Sequence, residues 1–84
     1  MTKLLPSPPA IEVATDAAGE PVRLRWRRWQ VSVAAICNRW RVAEDWWRDE
    51  VVRDYYKVET DDGTLCVIYR DLRDDSWHLQ RVYD

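Results

Sequence analysis

The sequence predicts an all-β fold: a small, strongly bent antiparallel sheet or barrel of five to six strands, with a flexible N-terminal tail. Three observations carry this. Several short stretches alternate apolar with polar residues, the pattern of a half-buried strand. One Asp-Gly pair, Asp62-Gly63, sits between two such stretches and supplies the positive φ of a tight hairpin turn. Six Trp and four Tyr in 84 residues, with no Phe, give a small chain the bulky side chains its core needs. The length allows one domain, residues 10–84, after a tail at 1–9.

The tail is read from Pro6, Pro8 and Pro9, which disfavour regular structure. Ile11-Glu12-Val13-Ala14-Thr15 alternates, Asp16-Ala17-Ala18-Gly19 reads as a turn, and Val22-Arg23-Leu24-Arg25-Trp26-Arg27 alternates again. Together these predict a hairpin with Val22, Leu24 and Trp26 facing the core and Arg23, Arg25 and Arg27 facing out. The apolar phase then shifts to Trp29, Val31 and Val33, which requires a turn or bulge at Arg27-Arg28. Residues 31–40 are ambiguous. Val33, Ile36, Cys37 and Trp40 also fit a helical stripe, but no capping residue brackets a helix, so a bent strand is the preferred reading.

Asp45-Trp46-Trp47-Arg48 reads as a short strand, with Asp49-Glu50-Val51-Val52 connecting it onward. Strands are expected at Asp54–Thr60 and Thr64–Arg70, flanking the Asp62-Gly63 turn, the second central because of its β-branched content. Leu72-Arg73-Asp74-Asp75-Ser76 is turn-like, and Trp77–Tyr83 closes the chain as an alternating strand. Trp26, Trp29, Trp40, Tyr56, Tyr69 and Trp77 are expected in the core.

The net charge is −2, unevenly spread. Residues 22–41 carry Arg23, Arg25, Arg27, Arg28, Arg39 and Arg41 and no acid, whereas residues 42–84 carry six basic and twelve acidic side chains. Such a stripe suits phosphates or a protein partner, or is answered internally by acids of neighbouring strands. These six arginines are the candidate contact residues for a partner or for nucleic acid. The acidic pI near 5.3 weighs against a dedicated nucleic-acid binder.

No catalytic residue, cofactor site or metal site is predicted. Cys37 and Cys66 form no CxxC pair, and His78 alone cannot complete a zinc site with them, so both thiols are expected reduced and buried. Asp61-Asp62-Gly63 and Asp74-Asp75-Ser76 read as turn chemistry rather than paired carboxylates. His78 has no nucleophile placed beside it by motif and is expected to pack or face solvent. Arg53-Asp54 is expected to form a structural ion pair. No membrane-length apolar run and no signal-peptide pattern is present, so the expected location is the cytoplasm.

The string Trp46-Trp47, Arg53-Asp54-Tyr55-Tyr56, Gly63, Tyr69-Arg70, Trp77-x-Leu79, Tyr83 resembles the C-terminal segment of ImuB-type proteins. Those are non-catalytic homologues of Y-family translesion DNA polymerases. Arg25-Trp26-Arg27-Arg28 and Val33-x-x-Ile36-Cys37-x-x-Trp40 are similar to small stand-alone bacterial relatives of unknown function. The resemblance covers about residues 10–84 and includes none of the polymerase body. It implies a non-enzymatic contact module beside bacterial DNA-damage tolerance or translesion synthesis. The expected function is therefore a protein-interaction adaptor with a DNA-repair component as partner. The alternative is a single-stranded nucleic-acid-binding module using the Arg/Trp face.

Overall fold

The computed structural model describes residues 2–4, 8–46 and 49–83, with side chains described for 8–44 and 50–83. The strands are β1 (Thr2–Leu4), β2 (Ala10–Thr15), β3 (Pro21–Trp26), β4 (Trp29–Trp46), β5 (Asp49–Thr60), β6 (Leu65–Asp71) and β7 (Ser76–Tyr83). Strands β2 to β7 pair antiparallel in chain order, and β7 returns to β2, closing a six-stranded barrel. Closure removes the two open edges that a six-stranded sheet would otherwise present. Of the expected tail, Thr2–Leu4 lie along β7 as β1, and the carbonyl of Pro9 accepts from Leu79 N at 3.0 Å. No helix among the described residues is long and apolar enough to cross a membrane.

Alternation decides what each strand buries. Ile11, Leu24, Val31, Val58, Cys66, Ile68, Trp77 and Leu79 form the interior, with Val13, Trp26, Trp29, Val33, Ile36, Tyr56 and Val82 packed around them. Leu24, Ile68 and Leu79 are fully buried, each worth about 1.5–3 kcal/mol in removed apolar surface. The odd residues of β5 and β6 point outward. There Tyr55, Val67 and Tyr69 form a second buried layer on the outside of the sheet, beside Val42 and Tyr83.

The expected turns are present, and each has its chemistry. Gly19 and Gly63 take φ of +83° and +85°. The Asp16 carboxylate accepts from Ala18 N and Glu20 N, and the Asp62 carboxylate from Thr64 N. The phase change at Arg27-Arg28 is a two-residue turn: Trp26 pairs with Trp29, and Arg27 takes a φ of +58°. The 31–40 stretch is strand, as read.

Four expectations are corrected by bulges and by the length of the β4–β5 hairpin. Val22 is 41% exposed rather than in the core. Ala14 pairs with Arg23 and Thr15 with Pro21, so Val22 is the bulged residue and Pro21 fills the interior position instead. Bulges in β4 leave Ala34 and Cys37 without partners. Val33 and Ile36, three apart, therefore share the inner face, whereas Ile36 and Trp40, four apart, lie on opposite faces. Trp40 is thus on the outside and 39% exposed, and Cys37 is exposed, although both were expected in the core. Asp49-Glu50-Val51-Val52 is the start of β5, paired with β4 from Trp46↔Asp49 inward, rather than a connector. Trp47 and Arg48 of the expected short strand lie outside the described residues.

Candidate functional site

Strand β4 is much longer than its neighbour β3. Arg23–Trp26 of β3 pair with Trp29–Ser32, and among the described residues β4 from Val33 onward is paired on one side alone, by β5. The free side of β4 follows from the shortness of β3, which begins at Pro21 and pairs with β4 no further than Ser32. Beyond Cys37 the register with β5 runs from Asn38↔Lys57 to Trp46↔Asp49 without interruption. This straight free edge offers unpaired N–H and C=O groups in a row, a template on which another strand can pair.

Trp40 lies in the middle of this region. It stands directly opposite Tyr55, and the two rings stack with centroids 5.3 Å apart and an interplanar angle of 7°. Tyr55 then meets Tyr69 at 5.1 Å, and Tyr69 stacks on His78 at 5.0 Å and 14°. An aromatic row thus crosses β4, β5, β6 and β7 on the outside of the barrel. Its inner members are covered: Tyr55 and Tyr69 are 7% and 5% exposed, and the Arg53 guanidinium lies 4.6 Å over the Tyr69 ring. Burial pushes the Tyr69 hydroxyl above its ordinary range. Trp40, at the open end, has its second face uncovered. Arg39, Trp40, Arg41, Asp54, Tyr55 and Tyr56 line a shallow depression there of about 270 Å³.

The six candidate arginines do not form one free stripe. Arg25 lies 3.6 Å from Glu12, Arg39 lies 2.5 Å from Glu20, and Arg41 grips Asp54 with Nε at 2.7 Å and Nη2 at 3.1 Å. That bidentate bond holds Arg41 more firmly protonated than usual. Arg23, Arg27 and Arg28 are exposed and pair with no carboxylate among the described residues; Arg27 lies 4.8 Å over the Trp26 ring. Internal complementarity therefore answers half of the set.

Arg53 and Asp54 do not pair with each other, contrary to expectation. They point to opposite faces: Asp54 to Arg41, and Arg53 to Tyr69 and to the Tyr55 hydroxyl at 3.4 Å. The Arg53 Nε is buried with no hydrogen-bond acceptor. The acidic turns act as turn chemistry. Asp62 accepts from Thr60 Oγ1, from Thr64 N and, at 2.9 Å, from Trp29 Nε1, which holds its carboxyl well below the usual range. Asp61 N donates to Ser32 O at 2.9 Å, so this turn is fastened to β4. His78 does have a hydroxyl beside it: Ser76 Oγ lies 2.9 Å from Nε2, and Nδ1 lies 3.2 Å from the Pro8 carbonyl. Ser76 Oγ also donates to Asp74 Oδ1 at 2.6 Å, and Asp74 accepts from Ser76 N, which is the geometry of a closed turn. Two-residue spacing, Asp74-x-Ser76-x-His78, is the signal that sequence reading missed.

Burial pushes the Cys66 thiol up to about 12, so it is an inert core group. No group of three or more His, Cys, Asp or Glu residues that could hold a metal occurs among the described residues.

No protein-family model, curated protein or solved structure matches the chain.

Proposed function

We propose that the domain is a non-catalytic protein-docking module, acting in the bacterial cytoplasm, whose contact surface is the free edge of β4 with Trp40 as its anchor. The single observation that carries this is the uninterrupted, one-sided run Asn38–Trp46 beside an exposed, pre-stacked indole. An added strand would gain backbone hydrogen bonds along β4. A side chain on its outer face would cover Trp40, whose ring is already held flat against Tyr55 and so loses little freedom on binding. The placement beside DNA-damage tolerance, with a repair component as partner, rests on the resemblance to the ImuB-type segment alone.

The test is capture of binding proteins from damaged bacterial cells on the immobilised domain. Trp40→Ala and Val42→Lys are expected to release partners that the parent and an Arg23→Ala variant both retain. Identical capture by parent and both edge variants, with each variant folded by circular dichroism, would refute the reading.

A second reading, contact with single-stranded nucleic acid, is favoured by Arg23, Arg27 and Arg28, which have no acidic partner among the described residues. Fluorescence anisotropy of a labelled single strand across a salt series tests it. If these arginines contact phosphates, each Arg→Ala change lowers the salt slope by about 0.7. The twelve acids of residues 42–84 favour negligible binding at ~150 mM salt, where longer-range attraction is screened.

A further inference from the structure

We propose that the occupant of the β4 edge is a second copy of this chain, paired antiparallel about a two-fold axis at Val42. This rests on the docking reading above and names the partner.

A two-fold axis normal to a sheet keeps each residue on its own face, so facing residues must have the same parity and the axis must pass through a residue. The bulge-free run of β4 is Asn38–Trp46, and its midpoint is Val42. This is therefore the one centre at which the whole straight edge is used. Its register places Trp40 opposite Glu44 of the copy and Arg41 opposite Ala43, so that no arginine of the described run faces another. Neighbouring centres do worse. A centre at Arg41 sets two arginines against each other, and a centre at Trp40 sets Arg39 against Arg41. A centre at Ala43 pairs only Trp40–Trp46 and leaves Asn38 and Arg39 of the straight run unused.

Three further observations fit this occupant. On the outer face, Val42 meets its own copy, with each Trp40 diagonally adjacent and within reach of the facing Val42. That joins two Trp40–Tyr55–Tyr69 rows into one apolar strip across the paired barrels. On the inner face, Glu20 already neutralises Arg39 and Asp54 already neutralises Arg41. A strongly charged partner gains little there, and an identical edge is not repelled. The chain as a whole carries only −2, so long-range repulsion between copies is weak.

The experiment uses the full chain in a Cys37→Ser background, leaving only the buried Cys66. In Val42→Cys, the two new thiols face each other with Cα atoms about 4.5–5.5 Å apart, inside the range a disulfide spans. Mild oxidation is expected to give a covalent dimer. In Glu44→Cys the two thiols lie four residues apart along the pairing, about 13 Å, and no cross-link is expected. Light scattering should show the parent moving from monomer to dimer with concentration, and Val42→Lys remaining monomeric. A parent that stays monomeric at its highest soluble concentration, with no Val42→Cys cross-link, overturns self-pairing. The docking reading survives that result if Trp40→Ala and Val42→Lys still lose a captured protein, and falls with it if they do not. Cross-linking through Glu44→Cys but not Val42→Cys overturns the Val42 register.

Discussion

Replacing either of two tryptophans by alanine should separate the interior of the barrel from its outer aromatic row. Trp77 is 8% exposed, points inside and packs against Tyr56 with ring centroids 5.6 Å apart. Its removal opens a cavity, and the expected cost is about 4–5 kcal/mol, the upper part of the range for a buried aromatic. Trp40 leaves 39% of its surface in water and packs mainly on Tyr55. Roughly three-fifths of the buried-aromatic cost, about 2–3 kcal/mol, is then expected. An 84-residue domain has ~4–13 kcal/mol in all, so Trp77→Ala should remove about a third of it or more, a larger share than Trp40→Ala removes. The assay is urea unfolding followed by far-UV circular dichroism. With a slope of about 1 kcal/mol/M, the Trp40→Ala midpoint falls by ~2–3 M and that of Trp77→Ala by ~4 M or more. Equal midpoints for the two variants, or a larger loss for Trp40→Ala, would refute the assignment of inner and outer faces that follows from the β4 bulges.

Other outcomes follow from the same geometry. A thiol reagent should label Cys37, exposed on its bulge, and leave Cys66 untouched until the domain unfolds; mass spectrometry of the labelled peptide distinguishes them. Asp62 has a folded-state pKa below its unfolded value, so its stabilisation is complete above the unfolded value of about 4 and is lost as pH falls through the folded one. Asp62→Asn should therefore flatten the acid limb of the stability curve, read as urea midpoints against pH. Gly63→Ala places a Cβ at φ +85° with open space around it, so only backbone strain opposes the change. A loss of about 1–2 kcal/mol in thermal or urea unfolding is expected.

Much of the architecture was legible because local chemistry and tertiary structure agree. Asp62-Gly63 joins β5 to β6, the Ile11–Thr15 and Val22–Trp26 stretches form the β2–β3 hairpin, and the phase change at Arg27-Arg28 is a turn. What was not legible lies at the bulges. A bulge adds one residue without changing composition, so counting by twos assigns every residue beyond it to the wrong face. The helical-looking stripe Val33, Ile36, Cys37, Trp40 is therefore no single face: one bulge puts Val33 and Ile36, three apart, together inside, and the second leaves Cys37 unpaired. They also move Trp40 outside, where it becomes the candidate anchor instead of a core residue. Charge was misleading for a related reason. The arginines of 23–41 are close in sequence, but folding brings Glu12 and Asp54 from other strands, and Glu20 from the β2–β3 turn, to Arg25, Arg41 and Arg39. A free edge is likewise invisible in sequence, because it depends on β3 being short where β4 is long.

The most direct test of a barrel that leaves β4 open is residue-resolved amide hydrogen exchange at a concentration where the chain is monomeric. Amides of β6, paired on both sides and largely buried, should exchange slowly. Within Asn38–Trp46, amides directed at β5 should be protected and those between them, directed away from it, should exchange rapidly. Slow exchange at every amide of Asn38–Trp46 in the monomer would contradict the account, because another part of the same chain would then have to cover the edge.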